Sequence, residues 1–168
     1  MIKKNLMFLL SCLLFSAMAF AAPASVTETS ITTVTVATTG PDKEWLDEDG
    51  VLHTRGLILH ADVFGGAVGE EGILLGTQTA VLAFNIDLAT GNGDLHGTFV
   101  RSWTVKGVSG TFSGSFQSTI MGFFFVGTVT AKGSDGFAGM VHTAVVAGVF
   151  GGGGLSSTGT ILDPSGEF

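Results

Sequence analysis

Glycine does most to limit what this chain can become. There are 26 glycines among 168 residues, and beyond residue 40 they recur every few positions. Each would cost a helix about 1 kcal/mol relative to alanine, so very little helix is expected. Between the glycines the apolar positions are rich in Val, Ile, Phe and Thr, and tyrosine is absent. β-Branched and aromatic side chains suit a pleated surface, and glycine supplies the turns that end each run. Eight strands are predicted: Ser30 to Thr39, His53 to Phe64, Gly76 to Leu88, Asp94 to Val105, Gly110 to Ser118, Ile120 to Ala131, Phe137 to Phe150, and Ser156 to Leu162.

The clearest turns are Glu48-Asp49-Gly50, Thr90-Gly91-Asn92-Gly93, Lys106-Gly107 and Ser134-Asp135-Gly136. Gly and Asn there tolerate the positive φ of tight hairpins, and strands joined so tightly run antiparallel. The chain therefore reads as all-β, a single antiparallel eight-stranded up-and-down barrel. Closure removes the exposed edges of a small open sheet, with a β-sandwich as the alternative.

Alternation assigns an inside and an outside. In the third predicted strand Gln78, Ala80, Leu82, Phe84 and Ile86 share the core face, which makes Gln78 a buried amide in need of partners. In the fourth, Leu95, Phe99, Arg101, Trp103 and Val105 fall together. Arg101 then sits among core residues unless a bulge rotates it out, and an outward Arg beside a core Trp is the more ordinary arrangement. Phe123 to Val126 and Ala144 to Val149 are apolar on both faces. Such stretches imply cover on the outer face or contact with another subunit, and so a homo-oligomer, a dimer or trimer.

At the N-terminus Lys3 and Lys4 precede an apolar run from Leu6 to Phe15, and Ala17, Ala19, Ala21 and Ala22 follow. That order is a secretory signal. Cleavage after Ala21 leaves Ala22 at the new N-terminus, and the apolar run falls short of the roughly 20 residues needed to cross a bilayer. Cys12, preceded by Leu9-Leu10-Ser11, is followed by apolar residues where a lipoprotein would place a polar tether. Residues 1–21 are thus expected to be a signal peptide. Residues 22–50 form an N-terminal segment with the first strand and an acidic loop, and residues 51–168 the remainder of the single domain. A secreted or periplasmic location follows.

Export removes the only cysteine, so no disulfide or thiolate metal site is available to the remaining chain. Loss of Lys3 and Lys4 takes the formal net charge from −7 to about −9, with acids crowded between Asp42 and Asp49 and at Glu70 and Glu71. Such a balance repels phosphate backbones and excludes nucleic acid as a partner. The acidic run also lacks the alternating ligands and central glycine of a calcium loop, so a solvated loop is the expectation.

Three segments carry a resemblance: Asp87-Leu-Ala-Thr-Gly-Asn-Gly93 leading into His96-Gly97, Gly110-Thr-Phe-Ser-Gly114, and Gly133-Ser-Asp-Gly-Phe-Ala-Gly139. They resemble the hairpin pattern of the allene oxide cyclase-like and dirigent-like barrels, over residues 57–162. The resemblance implies an eight-stranded barrel with an apolar cavity, often in a dimer or trimer, that binds or folds up a reactive hydrophobic small molecule. It matches no catalytic motif, so it assigns no catalytic residues.

The candidate ligand-binding residues are His60, Asp62, Gln78, Arg101, Trp103 and His142. His60 and Asp62 are two apart on one strand face and form either an acid-base pair or a solvated polar pair. His142 shares a face with Ala138, Met140, Ala144 and Val146, as a polar contact in an apolar pocket or as a hydrogen-bonded core histidine. Arg101 with Trp103 can clamp an anionic or aromatic ligand. No pair among His53, His60, His96 and His142 has metal-binding spacing, and Gly151-Gly-Gly-Gly154 lacks the Lys and Ser or Thr of a phosphate loop, so no metal or cofactor is expected.

Three functions follow for such a barrel: binding an apolar small molecule inside, an isomerase or cyclase working by confinement, or a structural protein with a filled interior. An outer-membrane barrel is disfavoured. The final Asp163-Pro-Ser-Gly-Glu-Phe168 is no membrane strand, and only Trp45 and Trp103 are available for interfacial girdles.

Overall fold

The computed structural model of the protein describes residue 22 and residues 24–70 and 72–168. The expected signal peptide and Cys12 lie outside the described residues. Among the described residues nine strands form: β1 Ser25–Thr39, β2 Lys43–Leu46, β3 Val51–Phe64, β4 Leu74–Asp87, β5 Gly93–Val105, β6 Val108–Met121, β7 Phe124–Asp135, β8 Val141–Val149 and β9 Gly154–Asp163. No helix occurs among the described residues, as the glycine content predicts.

From β3 to β9 each strand pairs antiparallel with the next. β1 closes the ring by pairing on both edges. Its residues Ser25 to Val34 run along β9, and Thr32 to Thr39 run along β3. The result is the expected closed eight-stranded barrel, with β2 as an additional strand.

β2 corrects the expectation of an acidic loop between Asp42 and Asp49. After the Gly40-Pro41 step, Lys43 to Leu46 pair with Arg55 to Leu52 and continue along β3 where β1 leaves off. Proline has no N–H for the ladder, so the break between β1 and β2 falls at Pro41. Of the acids in this run only Glu44 lies in β2, whose side chains are all exposed; Asp42, Asp47, Glu48 and Asp49 flank it.

A second correction concerns Phe123 to Val126. Met121 and Phe124 pair across a two-residue turn in which Gly122 and Phe123 have φ of 55° and 70°. Both residues lie in the left-handed region, as in a type I′ hairpin, so the strand expected from Ile120 to Ala131 starts at Phe124 instead, and Ile120 and Met121 belong to β6. Lys106 and Gly107 make the same kind of turn, with φ of 51° and 77°. Phe137 likewise lies in the β7–β8 turn instead of opening a strand, yet it is fully buried.

Inside and outside follow the alternation. Ala80, Leu82, Phe84 and Ile86 on β4 and Leu95, Phe99, Arg101, Trp103 and Val105 on β5 are buried. The outer wall of β6 is polar at Ser113, Ser115, Gln117 and Thr119, whereas other strands mix Ser and Thr with exposed apolar residues such as Val34, Val81 and Val100. An apolar strip stands out at Phe124, Val126, Val145 and Val149 on β7 and β8, where Phe124 is 64 % exposed. Among the described residues no helix is long and apolar enough to cross a membrane.

One end of the barrel is stoppered by aromatic rings. Phe112 and Phe137 stack at 4.7 Å, and Trp103 meets both edge to face at 6.0 and 6.4 Å. Trp103 also donates its indole N–H to the Gly65 carbonyl at 3.0 Å, and Phe168 packs edge to face on Phe137. Asp163 anchors the segment that carries Phe168. Its carboxylate accepts the Ser165 hydroxyl and the backbone N–H groups of Ser165, Glu167 and Phe168. These bonds, the Ser165 hydroxyl foremost, hold its pKa down to about 2 against partial desolvation.

A depressed carboxylate pKa stabilises the fold above the unfolded value near 3.8, and that stability is lost as pH falls through about 2. Asp163→Asn is therefore expected to lower the urea midpoint at neutral pH. It should also remove the part of the acid transition between about pH 4 and pH 2 that Asp163 supplies. Circular dichroism melts of both proteins across that range check this.

Candidate functional site: the barrel interior

Opposite the aromatic stopper the inward side chains shrink. Ala61 and Ala80 stand where larger residues would meet, and Gly151, Gly153 and Gly154 of the β8–β9 connection contribute no side chain. A cavity of about 330 Å³ is left, walled by residues such as Leu57, Leu82, Phe116 and Val146. Its volume lies at the low end of the ~300–1,000 Å³ typical of small-molecule sites. Phe150 stands at its margin, edge to face with Phe84 at 4.7 Å, and its N–H donates to the Phe123 carbonyl at 2.6 Å. The β6–β7 turn in turn donates the Phe123 N–H to the Gly91 carbonyl at 3.1 Å. Three hairpin tips thus support one another around the cavity end of the barrel.

Between cavity and stopper lies a polar layer. Gln78 and Thr33 line the cavity, and Gln78 Oε1 accepts from Arg101 Nε at 2.9 Å and Nη2 at 2.7 Å. Arg101 is 2 % exposed, so the expectation of an outward arginine is corrected. β5 pairs with β4 in unbroken register across Gln78↔Arg101, and no bulge turns the side chain outward. Its guanidinium lies over the rings of Phe99 at 5.2 Å and Trp103 at 5.3 Å. Among the described residues no carboxylate pairs with it, and Nη1 has no hydrogen-bond partner. Burial lowers its pKa to about 10, so it stays charged at neutral pH.

His142 is fully buried in the same layer. Its Nε2 meets the Thr29 hydroxyl at 3.3 Å, and its ring packs on Trp103 and Phe112 at 5.5 and 5.6 Å. Desolvation, aided by the Arg101 charge, pushes its pKa down to about 3, so it is neutral at physiological pH. Nδ1 of His142 and the hydroxyls of Thr33 and Ser157 also lack partners among the described residues.

Of the six candidate residues, Gln78, Arg101, Trp103 and His142 come together inside the barrel. His60 and Asp62 do not. Their spacing gives them a shared face as expected, but Ala61 and Val63 take the inward positions of β3 and leave that pair outside. His60 there meets the Thr79 hydroxyl at 3.3 Å.

Sequence reasoning missed Thr33, which does not stand out among the threonines of β1, and a polar cluster around His53. That imidazole contacts Asp47 Oδ2 at 2.9 Å through Nε2 and Asn85 Oδ1 at 2.7 Å through Nδ1, and it stacks on Trp45 at 4.7 Å. The Asp47 bond first, then Asn85, raises its pKa. The cluster ties the β2 segment to β3 and β4 on the outer wall. Among the described residues no three His, Cys, Asp or Glu side chains stand together as metal ligands.

No protein-family model matches this chain, and no curated protein matches it. Fold and site define it as a closed antiparallel barrel, half filled by its own aromatic residues and half hollow, with a buried cation at the boundary.

His142 gives the interior a pH signature. Because its folded pKa of about 3 lies below the ordinary 6.5, the unfolded chain takes up the proton first as pH falls. Stability contributed by neutral His142 is therefore whole above pH 6.5 and declines toward pH 3. In His142→Gln the slope of melting temperature against pH between about 6.5 and 4 should flatten relative to wild type, above the window in which Asp163 acts.

Proposed function

We infer that this chain is an exported β-barrel that binds a hydrophobic small molecule in its interior. The observation that carries the reading is the cavity of about 330 Å³ with its apolar wall. A void of that size left empty forfeits packing contacts that a fully filled barrel would keep, and a bound apolar molecule restores them. Export rests on the charge, apolar run and alanines of residues 1–22, and it puts the protein in the periplasm or outside the cell.

Binding is favoured over chemistry by the polar groups at the cavity. Gln78 and Thr33 supply an amide and a hydroxyl, neither of which titrates near neutral pH, and His142 is held neutral by its surroundings. General acid-base catalysis works best with a group poised near the operating pH. The interior instead offers shape, an apolar surface and a fixed charge.

N-Phenylnaphthylamine, a neutral dye that brightens in apolar sites, should bind the protein with one-to-one stoichiometry. Ala80→Phe places a ring in the void. It is expected to weaken dye binding more than tenfold while leaving stability unchanged or raising it by about 0.5–2 kcal/mol, as cavity filling does. Wild-type protein that takes up no dye would overturn the reading.

A further inference from the structure

We propose that the ligand is an amphiphile with a carboxylate head, held at the cavity floor by Arg101, with its apolar tail in the cavity. This rests on the cavity reading and adds the chemical class of the occupant.

A buried ion costs several kcal/mol in desolvation even after relaxation, and folded proteins normally compensate it with an opposite charge. Arg101 is 2 % exposed, yet its only hydrogen-bond acceptor among the described residues is the neutral amide oxygen of Gln78. Gln78 Oε1 spans Nε and Nη2, the edge of a guanidinium that fits the two oxygens of a carboxylate side by side. A neutral acceptor thus occupies a carboxylate position. Gln78 itself lines the cavity and is only half-buried, so rotation of its side chain exposes that edge to a ligand head. Thr33, 3 % exposed and also lining the cavity, carries a hydroxyl without a partner, a ready donor to the second carboxylate oxygen. Above this floor the wall is mostly Leu, Phe and Val, which fits an alkyl or ring tail, and the further polar side chains there, Thr35 and Thr38, are neutral hydroxyls with no charge to pair with a carboxylate.

The surface charge works against an anion, since the whole chain is −7 and the exported part more negative still. Selectivity for a carboxylate therefore has to come from the interior guanidinium. A buried pair is screened far less than a surface pair, so the selectivity should survive high salt.

The test is displacement of N-phenylnaphthylamine by decanoate and by decanol, which share a tail and differ in the head. Wild type should prefer decanoate at least tenfold, at low and at high salt. Gln78→Glu supplies from within the carboxylate that the ligand otherwise brings. It should raise the melting temperature and abolish the decanoate preference, bringing displacement by decanoate and by decanol to parity. Arg101→Met should lose the preference as well, with decanol displacing the dye as effectively as decanoate. Dye binding with equal displacement by decanoate and decanol, or a preference that persists in Gln78→Glu, would overturn the carboxylate assignment and leave the cavity reading standing. Failure of wild type to bind the dye at all would overturn both.

Discussion

Closure of the sheet through β1 is the constraint on which the rest depends. One strand pairs along ten residues with β9 and along its remaining length with β3, so the first strand of the domain seals the last to the second long one. Every ladder edge among the eight barrel strands is thereby used, and a surface with two faces becomes a wall with an inside and an outside. Side-chain alternation then fixes which residues can meet. Gln78 and Arg101 face each other across adjacent strands, and His142 reaches the same interior from β8 only because the sheet has curled back on itself.

Within that wall, volume is distributed unevenly along the axis. Trp103, Phe112, Phe137 and Phe168 fill one end, where the Asp163 carboxylate gathers the last residues of the chain into a cap. The other is walled by Leu, Phe and Val side chains, with small residues at Ala61, Ala80, Gly151, Gly153 and Gly154. The void follows from residue sizes at a handful of inward positions, and it ends where the barrel's buried charge begins. A filled structural barrel describes the aromatic half well, but it leaves the hollow half and the guanidinium without a role.

Much of this was legible from the sequence. Period-two alternation in β4 and β5 placed Leu82, Phe84, Phe99 and Trp103 inside, and the same pattern put Arg101 there, although the ordinary preference of arginine for water argued otherwise. Turns at Lys106-Gly107 and Asp135-Gly136 announced themselves through glycine. The Gly122-Phe123 turn did not, because a phenylalanine with positive φ looks like the middle of a strand. The exposed strand β2 was hidden for a related reason, since a short strand with no buried face carries no alternating pattern. Phe137 misled in the opposite sense, as a buried loop residue that resembled a strand start. The cavity itself could not be read from any segment, because it is the sum of side-chain volumes contributed by strands from β1 to β9.

The central claim, that the hollow half of the barrel holds a small apolar carboxylic acid, is tested most directly by native mass spectrometry of the protein isolated from its native source. The account predicts a native mass above the denatured one, with the difference released on unfolding as a molecule that ionises as a carboxylate. A native mass equal to that of the polypeptide alone, in protein that also refuses apolar dyes, would contradict it.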